Sequence, residues 1–224
     1  MDFYEKYDKN PTKEKTRQFF PYEDINVPEH YPIITIALII TNIIIFLWSL
    51  TYFKEIIYGY GFIAAEASIT TAFTSMFLHG GFDHIFGNMW YLWLFGDNVE
   101  DKFGKIKYIA MYLSAGLIAV AAQYLIDPAS AIPTVGASGA ISGILGAYIV
   151  LFPHVEVKTI GPFYQIYRIK AKYLIALWFI IQIIFGTLSI AGNYGSNIAF
   201  FAHVGGFIFG FMTGMIYKAF HQRA

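Results

Sequence analysis

Residues 33–52 run for twenty positions without a charged side chain, and a soluble core built from 224 residues has no use for so long an apolar run. In lipid, backbone N–H and C=O groups must be satisfied within the segment, so such a run folds as a helix. Five further stretches of similar character follow, at about 78–97, 106–126, 138–152, 173–191 and 199–219. With 57% of residues hydrophobic and 13% charged, the chain is predicted to be an all-α, polytopic membrane protein, a six-transmembrane-helix bundle. Residues 1–32 form a polar amino-terminal segment with no apolar core of the kind a cleaved signal peptide needs, 33–219 the membrane domain, and 220–224 a short tail.

Charge fixes the expected topology. If the amino terminus lies in the cytoplasm, so do Lys6, Lys9, Lys13, Lys15 and Arg17. Lys102, Lys105 and Lys107 follow, then Lys158, Arg168, Lys170 and Lys172, and finally Lys218 and Arg223. Of the 15 basic residues only Lys54 is left outside, a partition that a wrong helix count would not produce. Both termini are therefore expected in the cytoplasm, with the protein in the cell membrane and the lipid bilayer as its solvent. The net charge is zero, no basic cluster interleaved with aromatics points to nucleic acid, and the absence of cysteine removes thiol catalysis and Cys-based metal sites. No metal and no cofactor is expected.

The outer connection from Thr51 to Phe77 is long, rich in aromatics and poor in charge, and is expected to lie in the interface as short amphipathic helices. The inner connection from Pro153 to Lys172 is mixed polar and aromatic, with breaks at Pro153 and Pro162.

Polar residues cluster at one end of three spans that run the same way. Gly136-Ala137-Ser138-Gly139 opens the fourth span. A serine flanked by glycines at a helix start is open to close backbone approach, and the first-turn N–H groups favour negative charge there. The second span, starting near His79, holds His84 and Asn88 at i and i+4, on one face. The sixth carries Ala202-His203-Val204-Gly205-Gly206 at its start. Four polar groups at one depth in a bilayer imply a water-filled pocket. Glycine stripes lie beside it: Gly139, Gly143 and Gly146 in the fourth span, Gly206, Gly210 and Gly214 in the sixth. Such stripes let backbones approach more closely than the ~8–10 Å of ordinary helix pairs.

These residues resemble the rhomboid family of intramembrane serine proteases. The resemblance covers residues 33–219 and rests on Gly136-Ala137-Ser138-Gly139, on His84-x-x-x-Asn88, on Ala202-His203-x-Gly205-Gly206 with Gly210 and Gly214, and on Gly96-x-x-x-Glu100-x-x-x-Gly104. It implies Ser138 as nucleophile and His203 as general base, a dyad without a carboxylate. It also implies an oxyanion hole made by the Ser138 N–H, His84 and Asn88. The implied partners are membrane-protein substrates, cut in or next to a helix-destabilised transmembrane segment near the outer face. A helix must unwind before a nucleophile can reach its carbonyl, so Gly or Pro near the cut is expected to help.

Asp83 and Asp127 read as helix-end or loop residues, Glu100 as structural, and His79 as either lining a water path or a satisfied interfacial histidine. The loop Gly192–Ile198, with Asn193, Gly195 and Ser196, is expected to cap the cavity. Two departures stand out. Thr70-Thr71 occupies the place where many relatives carry Trp-Arg, and Ser142 stands where many carry an aromatic that stacks on the base. The competing expectation is a non-catalytic rhomboid-like protein that binds client helices; the presence of both Ser138 and His203 favours the enzyme.

Overall fold

A computed structural model describes residues 20–192 and 198–221. The basic residues Lys6, Lys9, Lys13, Lys15, Arg17 and Arg223, and the loop residues Asn193, Gly195 and Ser196, lie outside the described residues. Six long helices carry the fold: α1 (Ile33–Ser49), α4 (Phe82–Phe103), α5 (Lys105–Ile126), α6 (Ser138–Leu151), α7 (Ala171–Ile190) and α8 (Phe200–His221). Between α1 and α4, short helices α2 (Phe53–Tyr60) and α3 (Ile69–Thr74) alternate with single 3-10 turns, the short-helix form expected of that connection.

Among the described residues, four helical segments are long and apolar enough to cross a membrane: Ile33–Tyr60, Lys105–Ile126, Ala171–Ile190 and Phe200–His221. α6 is apolar but only 14 residues long. α4 has the length, at 22 residues, but carries Asp83, Asp97, Glu100, Asp101 and Lys102. The second span also moves relative to the expected 78–97. Hydropathy places its start at Leu78, whereas Gly80-Gly81 delay the helix until Phe82, so His79 precedes it and the helix runs on to Phe103.

The Gly96, Glu100 and Gly104 series becomes intelligible at the end of α4. Glu100 is buried and accepts hydrogen bonds from the backbone N–H groups of Ile34 (2.9 Å) and Thr35 (2.8 Å), satisfying first-turn donors of α1 with a carboxylate from another helix. Gly96 leaves room for the Tyr108 hydroxyl, which would stand 2.7 Å from a Cβ there. Gly104, at φ +72°, is the single residue between α4 and α5, in a left-handed conformation that glycine adopts without strain.

The sequence reading anticipated no sheet, and here the structure adds to it. Strands β1 (Phe20–Asp24), β2 (Glu156–Ile160) and β3 (Ile166–Lys170) form an antiparallel sheet in the order β1-β2-β3. Glu156-Val157-Lys158-Thr159-Ile160 alternates as a half-buried strand should: Val157 and Thr159 are fully buried while Lys158 turns out to pair with Glu23 at 2.7 Å. Part of the polar amino-terminal segment is thus built into the body. Trp90 Nε1 donates to the Pro21 carbonyl (2.8 Å), and Asp24 receives hydrogen bonds from Tyr148 (2.6 Å) and Asn98 (2.7 Å).

α6 lies at the centre. Eleven of its fourteen residues are buried, so neighbouring elements cover most of its surface. Small residues make this possible. A Cβ on Gly139 would meet Ala119 at 2.5 Å, one on Gly143 would meet Ala115 at 2.4 Å, and one on Gly146 would meet the Phe207 carbonyl oxygen at 2.2 Å. From α8, Gly206 abuts Gly139, Gly210 abuts Gly143, and Gly214 abuts Ala147.

Candidate active site

Ser138 is the first residue of α6, so its N–H is among the first-turn donors that a helix leaves without an intrahelical acceptor. The loop that delivers it is braced by the outer connection. Phe62 and Thr134 exchange backbone hydrogen bonds at 3.0 and 2.8 Å, Ala65 N donates to Ser130 O (3.0 Å), and Gly136 N donates to Ser75 O (2.9 Å). The turn passes through Gly136 at φ +128°, a backbone conformation that side chains rarely allow.

His203 reaches Ser138 from α8. Its Nε2 lies 2.8 Å from Ser138 Oγ, and its Nδ1 lies 2.8 Å from Gln182 Oε1 on α7. Both Ser138 and His203 are half-buried. The Trp178 ring, also from α7, tilts at 36° to the imidazole with centroids 5.9 Å apart. Ser142, four residues after Ser138, offers no ring; its hydroxyl donates to the Ser138 carbonyl at 2.6 Å.

His84 completes the cluster from α4. A Cβ on Gly136 would stand 2.8 Å from His84 Nε2 and 3.6 Å from Ser138 Oγ, so the ring and the hydroxyl share the space that the missing side chain leaves. His84 Nδ1 accepts from Gly80 N (3.2 Å), which leaves Nε2 as the nitrogen on the Ser138 side. Asn88 is buried one turn on, and one of its amide hydrogens is engaged by the His84 carbonyl at 3.1 Å. Serine and two histidines thus meet from three helices, with Asn88 one turn beyond His84 on α4. A hydroxyl hydrogen-bonded to an imidazole, with helix N–H groups and a second imidazole nearby, is an arrangement suited to acyl transfer.

Other sequence expectations fall elsewhere. His79 is fully buried, its ring edge-on to His84 at 5.2 Å, so it lines no open water path. Asp83 is in the first turn of α4 and Asp127 is the C-cap of α5. Gln182 and Trp178 were not anticipated. The one available signal was that Gln182 is the only amide or acid between Leu174 and Gly186 of an otherwise apolar span.

Residues 66–220 match the family model described as the rhomboid domain. The chain is 28% identical over 193 residues to YdcA, a rhomboid of Bacillus subtilis (strain 168), covering 83% of this chain and 88% of that one. It is 34% identical over 143 residues to rhomboid protease GluP of the same organism, covering 62% of this chain and 24% of that one. To RHOMBOID-like protein 5 of Arabidopsis thaliana it is 32% identical over 141 residues, covering 63% of this chain and 41% of that one. The chain therefore spans less than half the length of the last two.

Proposed function

The chain belongs to the rhomboid family, and on that premise we propose that it is an intramembrane serine endopeptidase with Ser138 as nucleophile and His203 as general base. The observation that carries the reading is the 2.8 Å contact between His203 Nε2 and Ser138 Oγ, made across two helices held together by glycines. In acylation, Ser138 Oγ attacks the scissile carbonyl carbon and its proton passes to His203 Nε2. The C–N bond then breaks, and the same proton goes to the leaving amine. Water, deprotonated in turn by His203, hydrolyses the acyl-enzyme. The Ser138 N–H, His84 and Asn88 would bear the charge on the tetrahedral oxygen.

Depth argues for substrates that are themselves membrane proteins. α6 spans about 21 Å at 1.5 Å per residue, against a hydrocarbon core of roughly 30 Å, so a serine at its start lies below the surface on its own side. With the termini in the cytoplasm, that side is the outside. The substrate is a transmembrane or juxtamembrane segment that unwinds readily.

The test is cleavage in liposomes of a single-span substrate bearing Gly or Pro near its site. The wild type should cut it, and Ser138→Ala and His203→Ala should not. Retained cutting by either variant refutes the dyad; no cutting by the wild type, with the substrate helix bound, would leave the non-catalytic reading.

A further inference from the structure

We infer that Gln182 is a positioning residue for His203, fixing the ring in the tautomer and orientation that a base acting on Ser138 requires. The inference rests on the protease reading for its kinetic consequence, but its structural content can be measured without turnover.

Gln182 is 7% exposed in the middle of α7, on the stripe of Ala171, Ile175 and Gly186 that packs inward. A primary amide buried in a membrane helix is costly unless its polar atoms are engaged. Among the described residues its Nε2 makes a long contact with the Trp178 carbonyl, at 3.5 Å, whereas its Oε1 makes the 2.8 Å contact with His203 Nδ1. An amide oxygen accepts and cannot donate, so Nδ1 must carry the proton. A neutral ring protonated at Nδ1 has its lone pair on Nε2, the nitrogen 2.8 Å from Ser138 Oγ. Gln182 thus stands where a triad would place its carboxylate, without bringing a charge into the bilayer.

α7 supplies the ring's lateral support as well. Trp178, one turn before Gln182, lies against His203 and against Phe207, and Phe179 stacks on Phe207 at 4.1 Å. Gly186, one turn after, allows the close approach: a Cβ there would meet Phe200 at 3.1 Å and Phe201 at 3.0 Å. The groups against His203 are Ser138 from α6 and Gln182 and Trp178 from α7, and the titratable group beyond Ser138 is His84 from α4, whose ring borders the Gly136 space.

The experiment compares full-length wild type, Gln182→Leu and Gln182→Glu. The first readout is the 15N spectrum of histidine-labelled protein, with the His203 signals assigned by their loss in His203→Gln. The wild type should show the Nδ1–H tautomer, and Gln182→Leu should lose that preference. A tautomer unchanged in Gln182→Leu overturns the inference whether or not the protein is a protease. The second readout is kinetic. Gln182→Leu should lower kcat about 10–100-fold with KM little changed and with unchanged thermal unfolding. Gln182→Glu, which keeps the acceptor, should recover most of the rate. Its added charge stabilises the imidazolium, so the acidic limb of its pH profile should move to higher pH. A full rate in Gln182→Leu, or equal loss in both variants with an unmoved limb, overturns the inference while leaving the dyad standing. Cleavage that survives Ser138→Ala refutes the protease reading and leaves the tautomer result to decide the contact.

Discussion

A Cβ on Gly206 would stand 2.0 Å from the carbonyl oxygen of Gly139, so the helices carrying His203 and Ser138 meet backbone to backbone beside those two residues. The contact recurs one turn on, where Gly210 would place a Cβ 1.8 Å from the Gly143 carbonyl oxygen. Backbone cannot yield as a flexible side chain does. Gly206→Ala and Gly210→Ala should each destabilise the protein by about 3 kcal/mol or lower activity at least tenfold by parting the two helices. Thermal unfolding and cleavage rate check this. Gly59→Ala, in α2 with nothing within 4 Å, should be neutral or stabilising by about 0.5–1 kcal/mol.

Glu100 binds two first-turn N–H groups of α1, a structural role that leaves the reaction untouched. Glu100→Ala should cost about 3 kcal/mol, because one buried and one half-buried backbone donor lose their acceptor, and Glu100→Gln should cost less. Unfolding in detergent should rank the variants in that order, with kcat in the folded fraction unchanged.

The motifs on which the proposed site rests were legible because each is local. Ser138 sits between glycines at a helix start, His84 and Asn88 are one turn apart, and His203 precedes a glycine stripe. Part of what escaped the sequence was non-local. Gln182 is a lone amide in an apolar span, and nothing in its neighbours tells that its partner is a histidine 21 positions later. The pairing of β1 with β2 was missed because it joins residues more than 130 positions apart. The start of α4 was misplaced because hydropathy counts Leu78 and His79 but not the break that Gly80-Gly81 impose.

Asp24 makes the docking of β1 depend on pH. Burial raises its carboxyl from 3.8 to about 7, the hydrogen bond from Tyr148 opposes this, and Asp97 nearby adds to the rise. The docked form therefore binds the proton more tightly than the undocked form. This contribution to stability is complete below pH 3.8 and is lost as pH climbs through about 7. Amide exchange across residues 20–26, corrected for intrinsic rates, should show stronger protection at pH 5 than at pH 8. Asp24→Asn should shrink the difference; stronger protection at pH 8 would contradict the linkage.

Gly136 holds open the space shared by His84 and Ser138. Gly136→Ala places a Cβ 2.8 Å from His84 Nε2 at a φ that disfavours side chains. If His84 bears on the oxyanion, kcat should fall about 10²–10³-fold, with the protein still folded. A variant that folds and cuts at the wild-type rate would remove His84 from that role.

The most direct test of the central claim is chemical, because an ordinary serine hydroxyl does not react with a fluorophosphonate, whereas one activated by an adjacent base does. Protein in liposomes is treated with the probe and the adduct is located by mass spectrometry. The dyad predicts a single labelled site at Ser138 in the wild type and none in His203→Ala. Labelling that persists in His203→Ala, or a folded wild type that leaves Ser138 unmodified, would contradict it.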